Sequence, residues 1–339
     1  MKIAIFAYSR QGCKTARTVM EHFKAEEIRS FTKERFEESG FQPLCQPSSL
    51  FYGSMFEWAD TMVFIGSCGI AVREIAPHIR DKKSDPAVIV VDELAHFTIS
   101  LLSGHIGGAN AIASKLAKSL DSIPVITTAS DINHKFSADA WATQNGYIIA
   151  DIHKAKAVSS GILEQDIPLH SDFPVLTPYP NGLVPGIAGD VGICISYRTD
   201  EPFDQTLRLI PKILHLGIGC KKGISAKAIC ETVDTVLNQN HIDRRSIKCV
   251  ASIDLKAQES GLLAYCQENN WPVSFYSAED LKMVKGSFTP STFVQSVTGI
   301  DNVCERAALY GAEKLIVKKN ALNGVTAAIA AEKWEVRFE

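Results

Sequence analysis

Short, nearly uninterrupted apolar runs of four to six residues alternate along this chain with longer segments of helical periodicity. In the first part the runs are 3–8, 61–65, 87–91 and 125–128, and the helix-period stretches are 15–23, 70–79 and 109–120. A strand that is apolar at every position has no solvent face, so both of its sides must be covered. Strands of that kind alternating with helices predict βαβ units and an open, mostly parallel sheet layered by helices.

The rhythm then breaks. Seven of the fourteen prolines (168, 174, 178, 180, 185, 202 and 211) fall between residues 168 and 211. Proline lacks an amide donor and fixes φ, so this density argues against long helices and central strands and predicts an irregular module. The α/β rhythm restarts at 213–216, with helices at 225–237, 257–268 and 302–310 and strands at 246–253, 273–276, 315–318 and 325–330. The expected organisation is therefore an α/β chain with two open, mostly parallel-sheet domains, 1–138 and 212–339, joined by a Pro-rich middle module, 139–211. A length of 339 residues suits two or three domains.

Charge and cysteine content exclude several functions. Lys and Arg total 35 against 38 Asp and Glu, a formal charge of −3, so no basic excess points to nucleic acid and an anion site must be local. The nine cysteines contain no C-x-x-C pair, which argues against a cysteine-built metal site, and their scatter reads as reduced thiols of a cytoplasmic protein. No stretch approaches the ~18 continuous apolar residues of a membrane span.

Four loops carry candidate chemistry. Residues 217–223 (Gly217, Gly219, Lys221, Lys222, Gly223) join a strand to a helix, but the third glycine is one residue late for a dinucleotide fingerprint. Asp254 follows 37 residues after Gly217, where ~20 is expected. The loop reads either as a tight turn or as a carboxylate or phosphate cradle of amides and two lysines. Residues 103–110 (Ser103, Gly104, His105, Gly107, Gly108, Asn110) place a histidine among glycines at a helix start, as a general acid or base or as a packing residue. Residues 66–73 hold Gly66, Cys68, Gly69 and Arg73, where Cys68 is either a dipole-activated thiol or a small buried side chain. After 125–128, Thr128 and Asp131 occur at a helix start, where Asp131 either caps the helix or orients His105. These three N-terminal loops all follow strands and are expected on one rim, the carboxyl edge at which open sheets bind ligands. In the second half Lys256 and Glu259 share a helix face as an ordinary ion pair, and Glu305 sits on an apolar helix, costly unless paired.

Taken together, segments 69–77, 81–88, 101–110, 124–131, 217–223, 251–259 and 291–294 resemble, in order, the cobalamin-biosynthesis family of cobalt-precorrin-5A hydrolases (CbiG type). Ser130 is a departure, since the family often has Thr or another small residue there; Cys68 is also variable and is given no catalytic role. The resemblance implies the anaerobic route to vitamin B12 and a cobalt-containing tetrapyrrole bearing a ring-A acetate lactone. Water opens the lactone and the two-carbon unit leaves as acetaldehyde, giving cobalt-precorrin-5B. For this chemistry the residues offer His105, Asp131 and Glu259 as proton-transfer candidates. Substrate contacts would come from Gly66, Gly69, Arg73, Lys82, Ser103, Gly104, Gly107, Gly108, Asn110, Thr128, Gly217, Gly219, Lys221, Lys222, Gly223 and Lys256. No protein-bound metal or organic cofactor is expected, because cobalt arrives in the substrate. The expected setting is a cleft between the two halves, in a cytoplasmic protein making transient contact with pathway methyltransferases and forming a homodimer. Two other readings stay open: a corrinoid-binding handover protein without catalysis, and a nucleotide-dependent enzyme using 217–223.

Overall fold

The computed structural model describes residues 1–36, 40–81, 84–105 and 107–338; the candidate clamp Lys82 lies outside them. The chain divides into two compact units, Met1–Ala140 and Trp141–Glu339. In the first, the elements are β1 (Lys2–Ala7), α1 (Arg10–His22), β2 (Glu27–Thr32), β3 (Gln42–Pro43), α2 (Ser48–Trp58), β4 (Thr61–Ile65), α3 (Cys68–Ile75), β5 (Ala87–Val91), β6 (Phe97–Leu102), α4 (Ala109–Leu120), β7 (Ile123–Val125) and α5 (Ala129–Ile132). Helix α6 (Ala138–Gln144) spans the division.

The first sheet has the order β3-β2-β1-β4-β5-β6-β7. Its central strands are closed on both faces, as their uniform apolarity requires. Ile3, Ile5, Val63, Ile89 and Val91 pack with Cys13, Ala16 and Val19 of α1 and Ala113 and Leu116 of α4. Ala4, Phe6, Met62, Phe64, Val88 and Val90 pack with Phe51, Tyr52, Met55 and Phe56 of α2 and Ala71 and Ile75 of α3. Each large side chain buried in this way contributes roughly 1.5–3 kcal/mol.

One strand changes the geography. β6 runs antiparallel to β5, pairing Val88 with Leu102 and Val91 with Thr98, and β7 runs parallel to β6. The loops after β6 and β7 therefore lie at the edge where β5 begins, and Ser103 Oγ donates to the Asp85 carbonyl at 3.1 Å. The loop after β4 lies at the opposite edge, where the Gly66 amide donates to the Val91 carbonyl at 2.8 Å. The single rim expected for 66–71, 103–108 and 127–131 is thus corrected to two edges, separated by the five residues of β5, about 16 Å at ~3.3 Å per residue.

The second unit contains β8 (Ile148–Ile149), α7 (Ile152–Glu164), β9 (Ile167–Ser171), β10 (Leu183–Pro185), β11 (Val191–Ile195), β12 (Gln205–Ile210), β13 (Leu214–Cys220), α8 (Ala226–Gln239), β14 (Ile247–Ile253), α9 (Ser260–Glu268), β15 (Val273–Tyr276), α10 (Ala278–Met283), α11 (Thr292–Thr298), α12 (Cys304–Leu309), β16 (Lys314–Leu322) and β17 (Val325–Ala331). Its sheets are β10-β9-β11-β12-β8 and β15-β14-β13-β17-β16. The Pro-rich stretch is therefore not irregular throughout; it builds most of the first of these. Pro185 sits on the edge strand β10. Pro168 sits at the second residue of β9, one position before pairing with β11 begins at Leu169, so its missing donor breaks no bond on that side.

The two sheets of this unit are tied by a buried ion cluster. Arg208 of β12 reaches Asp243 Oδ2 at 2.6 Å, and Arg245 grips the same carboxylate through Nε at 3.0 Å and Nη2 at 2.8 Å. Burial alone would push the Asp243 carboxyl up, but these hydrogen bonds outweigh it and hold it down at about 2. The folded value lies below the ordinary 3.8, so the stabilisation is complete above about pH 4 and is lost as pH falls toward 2. Asp243→Asn, which leaves Arg208 buried without its counterion, should lower urea stability by about 3 kcal/mol at pH 7 and flatten the loss of stability between pH 4 and pH 2.

Candidate functional site

In the first unit the chemistry gathers at the edge beyond β6 and β7. Ser103 has φ +58° and Gly108 φ +80°, a pair of left-handed positions that fold the 103–108 loop back on itself before α4. A Cβ at Gly107 would overlap Ser103, and one at Gly104 would fall 2.7 Å from Asn110 Oδ1, so both glycines are needed for closeness. The loop carries His105 to a position between two carboxylates. Its Nε2 lies 3.1 Å from Asp131 Oδ2 and 3.1 Å from Ser130 Oγ, and its Nδ1 lies 3.7 Å from Asp139 Oδ1. The Asp139 side chain is 5% exposed, Asp131 39%.

Asn110 and Thr128 hold this arrangement. Asn110 Nδ2 donates to Thr128 Oγ1 at 2.9 Å and to Asp131 Oδ2 at 3.0 Å, while its Oδ1 accepts from Ser100 Oγ at 2.6 Å. Thr128 Oγ1 also donates to Asp131 Oδ2. An imidazole set against oriented carboxylates at a partly exposed loop is placed to transfer protons. Gly66, Gly69 and the exposed Arg73 lie at the other edge and do not join this group. Asp139 was not a sequence candidate. No motif marks it in the sequence: it stands near the start of the short helix α6, with no spacing that ties it to His105.

In the second unit a cavity of about 710 Å³ opens beside the end of β13. Its apolar wall is Leu255, Phe293, Val297 and Leu322, all large side chains that are otherwise solvent-exposed; Phe293 is 73% exposed. Lys221, Lys222, Lys256 and Lys319 line it as well. This volume and this mix of apolar wall and few charges are typical of a small-molecule site. Burial pushes the lining thiols of Cys304, to about 11, and Cys220 upward, so both are neutral apolar lining at pH 7.

The glycine-rich segment divides its labour. Gly217 lies inside β13, buried, where a Cβ would overlap the Cys304 carbonyl and come 2.7 Å from the Ala308 amide, so it admits α12 onto the sheet and does not face ligand. Gly219 lines the cavity. Gly223, φ +74°, makes the turn, and its amide donates to Glu259 Oε1 at 2.7 Å. Glu259 Oε2 pairs with Lys256 at 3.3 Å. Both oxygens of that carboxylate are thus engaged in fastening the 221–223 turn. On the far wall, fully buried Glu305 answers the cost anticipated for it: it accepts from the Thr289 amide and hydroxyl, Asn302 Nδ2 and the Lys319 amide, at 2.6–2.9 Å. Lys319 was missed in the sequence because it sits mid-strand, outside any motif.

Glu259→Ala should free the turn, lowering stability by about 1–2 kcal/mol and raising amide exchange at Gly223 at least tenfold. An unchanged Gly223 exchange rate would contradict this fastening role.

Among the described residues no group of three or more His, Cys, Asp or Glu is arranged to hold a metal ion, and no helix is long and apolar enough to cross a membrane. A family model described as cobalamin synthesis G N-terminal matches residues 51–131, which hold His105 and Asp131. A second, cobalamin synthesis G C-terminus, matches residues 214–330, which hold the whole cavity. The chain is 32% identical over 320 residues to the cobalt-precorrin-5A hydrolase of Salmonella typhimurium, covering 90% of each. It is 29% identical over 352 residues to the protein of that name from Priestia megaterium, covering 96% of this chain and 94% of the other. A shorter match, 34% identical over 121 residues and 79% of the other chain, is to the protein CobE of a Sinorhizobium species. With both family segments present in order and relatives matched along nine-tenths of their length, this chain belongs to the cobalamin synthesis G family.

Proposed function

We propose that this protein is a cobalt-precorrin-5A hydrolase: it opens the ring-A acetate lactone of a cobalt tetrapyrrole and releases the two-carbon unit as acetaldehyde, leaving cobalt-precorrin-5B. The observation that carries the reading is the full-length similarity to two proteins named for that hydrolysis. Two features of the chain support it. The centre at His105 offers a base with carboxylates on either side. The cavity offers a ligand of the right character, since a macrocycle is apolar on its faces and carries carboxylates at its rim. Leu255, Phe293, Val297 and Leu322 suit the faces, and Lys221, Lys222, Lys256 and Lys319 suit the acetates and propionates.

A lactone is an ester, so its opening needs a base to activate the attacking oxygen and stabilisation of the charge that develops on the carbonyl. His105 takes the first task. Once the ester is open, the oxygen freed on the two-carbon unit loses its proton and the carbon–carbon bond breaks. Acetaldehyde departs and the electron pair of that bond passes into the conjugated ring. The ring and its cobalt belong to the substrate, so the reading calls on no organic cofactor of the protein.

Replacing His105 by Ala should lower acetaldehyde release from cobalt-precorrin-5A at least a thousandfold while leaving pigment binding within threefold. Turnover surviving in that variant would remove His105 from the mechanism, and pigment retained by wild-type protein without any acetaldehyde would point to a handover role. The double variant Lys221→Ala and Lys222→Ala should raise KM about tenfold with kcat within threefold, and the wild-type KM should rise with salt. An unchanged KM would move the rim carboxylates elsewhere.

A further inference from the structure

We propose that Ser130 is the nucleophile of the lactone opening, with His105 as its base and Asp139 holding the imidazole; this rests on the hydrolase reading. The side chains stand in the order serine, histidine, aspartate, with the serine at hydrogen-bond distance and the aspartate at ion-pair distance. Ser130 Oγ lies 3.1 Å from His105 Nε2 on one side of the ring, and Asp139 Oδ1 lies 3.7 Å from Nδ1 on the other. The aspartate is buried and fixed, its Oδ1 accepting from Ser137 Oγ and the Ala140 amide at 2.9 Å each.

The carboxylates bias the tautomer. Asp139 Oδ1 stands 3.7 Å from Nδ1, an ion-pair distance rather than a hydrogen bond, so it favours a proton on that nitrogen through its charge. Asp131 Oδ2, also near Nε2, is already supplied by two donors, Asn110 Nδ2 and Thr128 Oγ1. Nε2 therefore need not donate to it, and its lone pair is left for the Ser130 hydroxyl. Asp131 then faces the imidazolium that forms when Nε2 takes a proton, and stabilises it.

The chemistry balances with water as the only co-reactant. Ser130 Oγ bonds to the lactone carbonyl carbon as its proton passes to Nε2. The ring C–O bond breaks and its oxygen takes that proton, leaving an acyl-serine ester and a free hydroxyl on the two-carbon unit. Water then adds to the acyl carbon, giving up a proton to Nε2, and Ser130 leaves with that proton. The net change is lactone plus water to hydroxy acid. Asp139 touches none of the reacting atoms and is a positioning residue.

Two measurements test this. First, Ser130→Ala should lower kcat for loss of cobalt-precorrin-5A about a thousandfold or more, with KM within threefold and an unchanged melting temperature. Ser130→Thr, which keeps a hydroxyl, should retain turnover well above the alanine variant. A Ser130→Ala enzyme within tenfold of wild type would overturn the proposal, because His105 would then act directly on water. Second, Ser130→Cys provides a thiol whose iodoacetamide labelling, read on the peptide containing position 130, does not depend on the substrate. At pH 7 it should label at least tenfold faster than the same thiol in a His105→Ala or Asp139→Asn background. Equal rates in all three would overturn the relay. Wild-type protein that leaves the lactone closed would instead sink the hydrolase reading, while the labelling rates still decide the relay.

Discussion

The Asp92 carboxylate accepts from the amides of Leu94 at 3.0 Å and Phe97 at 2.6 Å, and in doing so closes the turn that sends β6 back along β5. Were this connection a crossover, β6 would run parallel and its loop would emerge beside Gly66. Because it is a hairpin, the loop bearing His105 emerges at the opposite edge, beside the start of β5. β7 follows β6 in direction, so the segment with Thr128, Ser130 and Asp131 comes out next to it. Every contact of the histidine centre depends on that reversal. It also explains why Arg73 and the glycines at 66 and 69, which follow a strand just as the others do, have no part in the centre.

The second unit reaches its site by a different route. There the ends of the β13, β16 and β17 strands face helix α11, whose Phe293 and Val297 are exposed, and the gap between them is the cavity. Two carboxylates brace the segments that line it, Glu305 fully buried and Glu259 partly. Glu305 gathers Thr289, Asn302 and Lys319 on one side, and Glu259 fastens Gly223 on the other. A carboxylate held by several donors is costly to disturb, which steadies the segments that carry the lysines. The exposed apolar side chains are then left as the surface a flat ligand would cover.

Much of this was legible in the residues. Uniformly apolar strands announced two covered faces, and helix 109–120 and strands 61–65, 87–91 and 273–276 occur where the periodicity places them. Only five residues, 92–96, separate β5 from β6, too few for a parallel crossover, which needs about a dozen; that length was the available sign of an antiparallel turn. Proline density predicts irregularity, yet Pro168 and Pro185 sit where no ladder bond is lost on the unpaired side, and that depends on register, which no single segment encodes. Strands β2 and β3 and helix α2 lack a distinctive pattern in the sequence. Gly217 looked like part of a ligand loop because the strand β13 continues through it to Cys220. Asp139 was invisible because its meaning is purely spatial: only the fold brings α6 to the far side of the His105 ring.

The central claim is that water opens an ester on a cobalt tetrapyrrole at this protein. It is tested most directly by incubating the purified protein with cobalt-precorrin-5A in water carrying heavy oxygen, then weighing both products. The account predicts one acetaldehyde for each pigment consumed and one heavy oxygen in the ring-A acetate carboxylate of cobalt-precorrin-5B. Pigment recovered unchanged in mass, with no acetaldehyde formed, would contradict it.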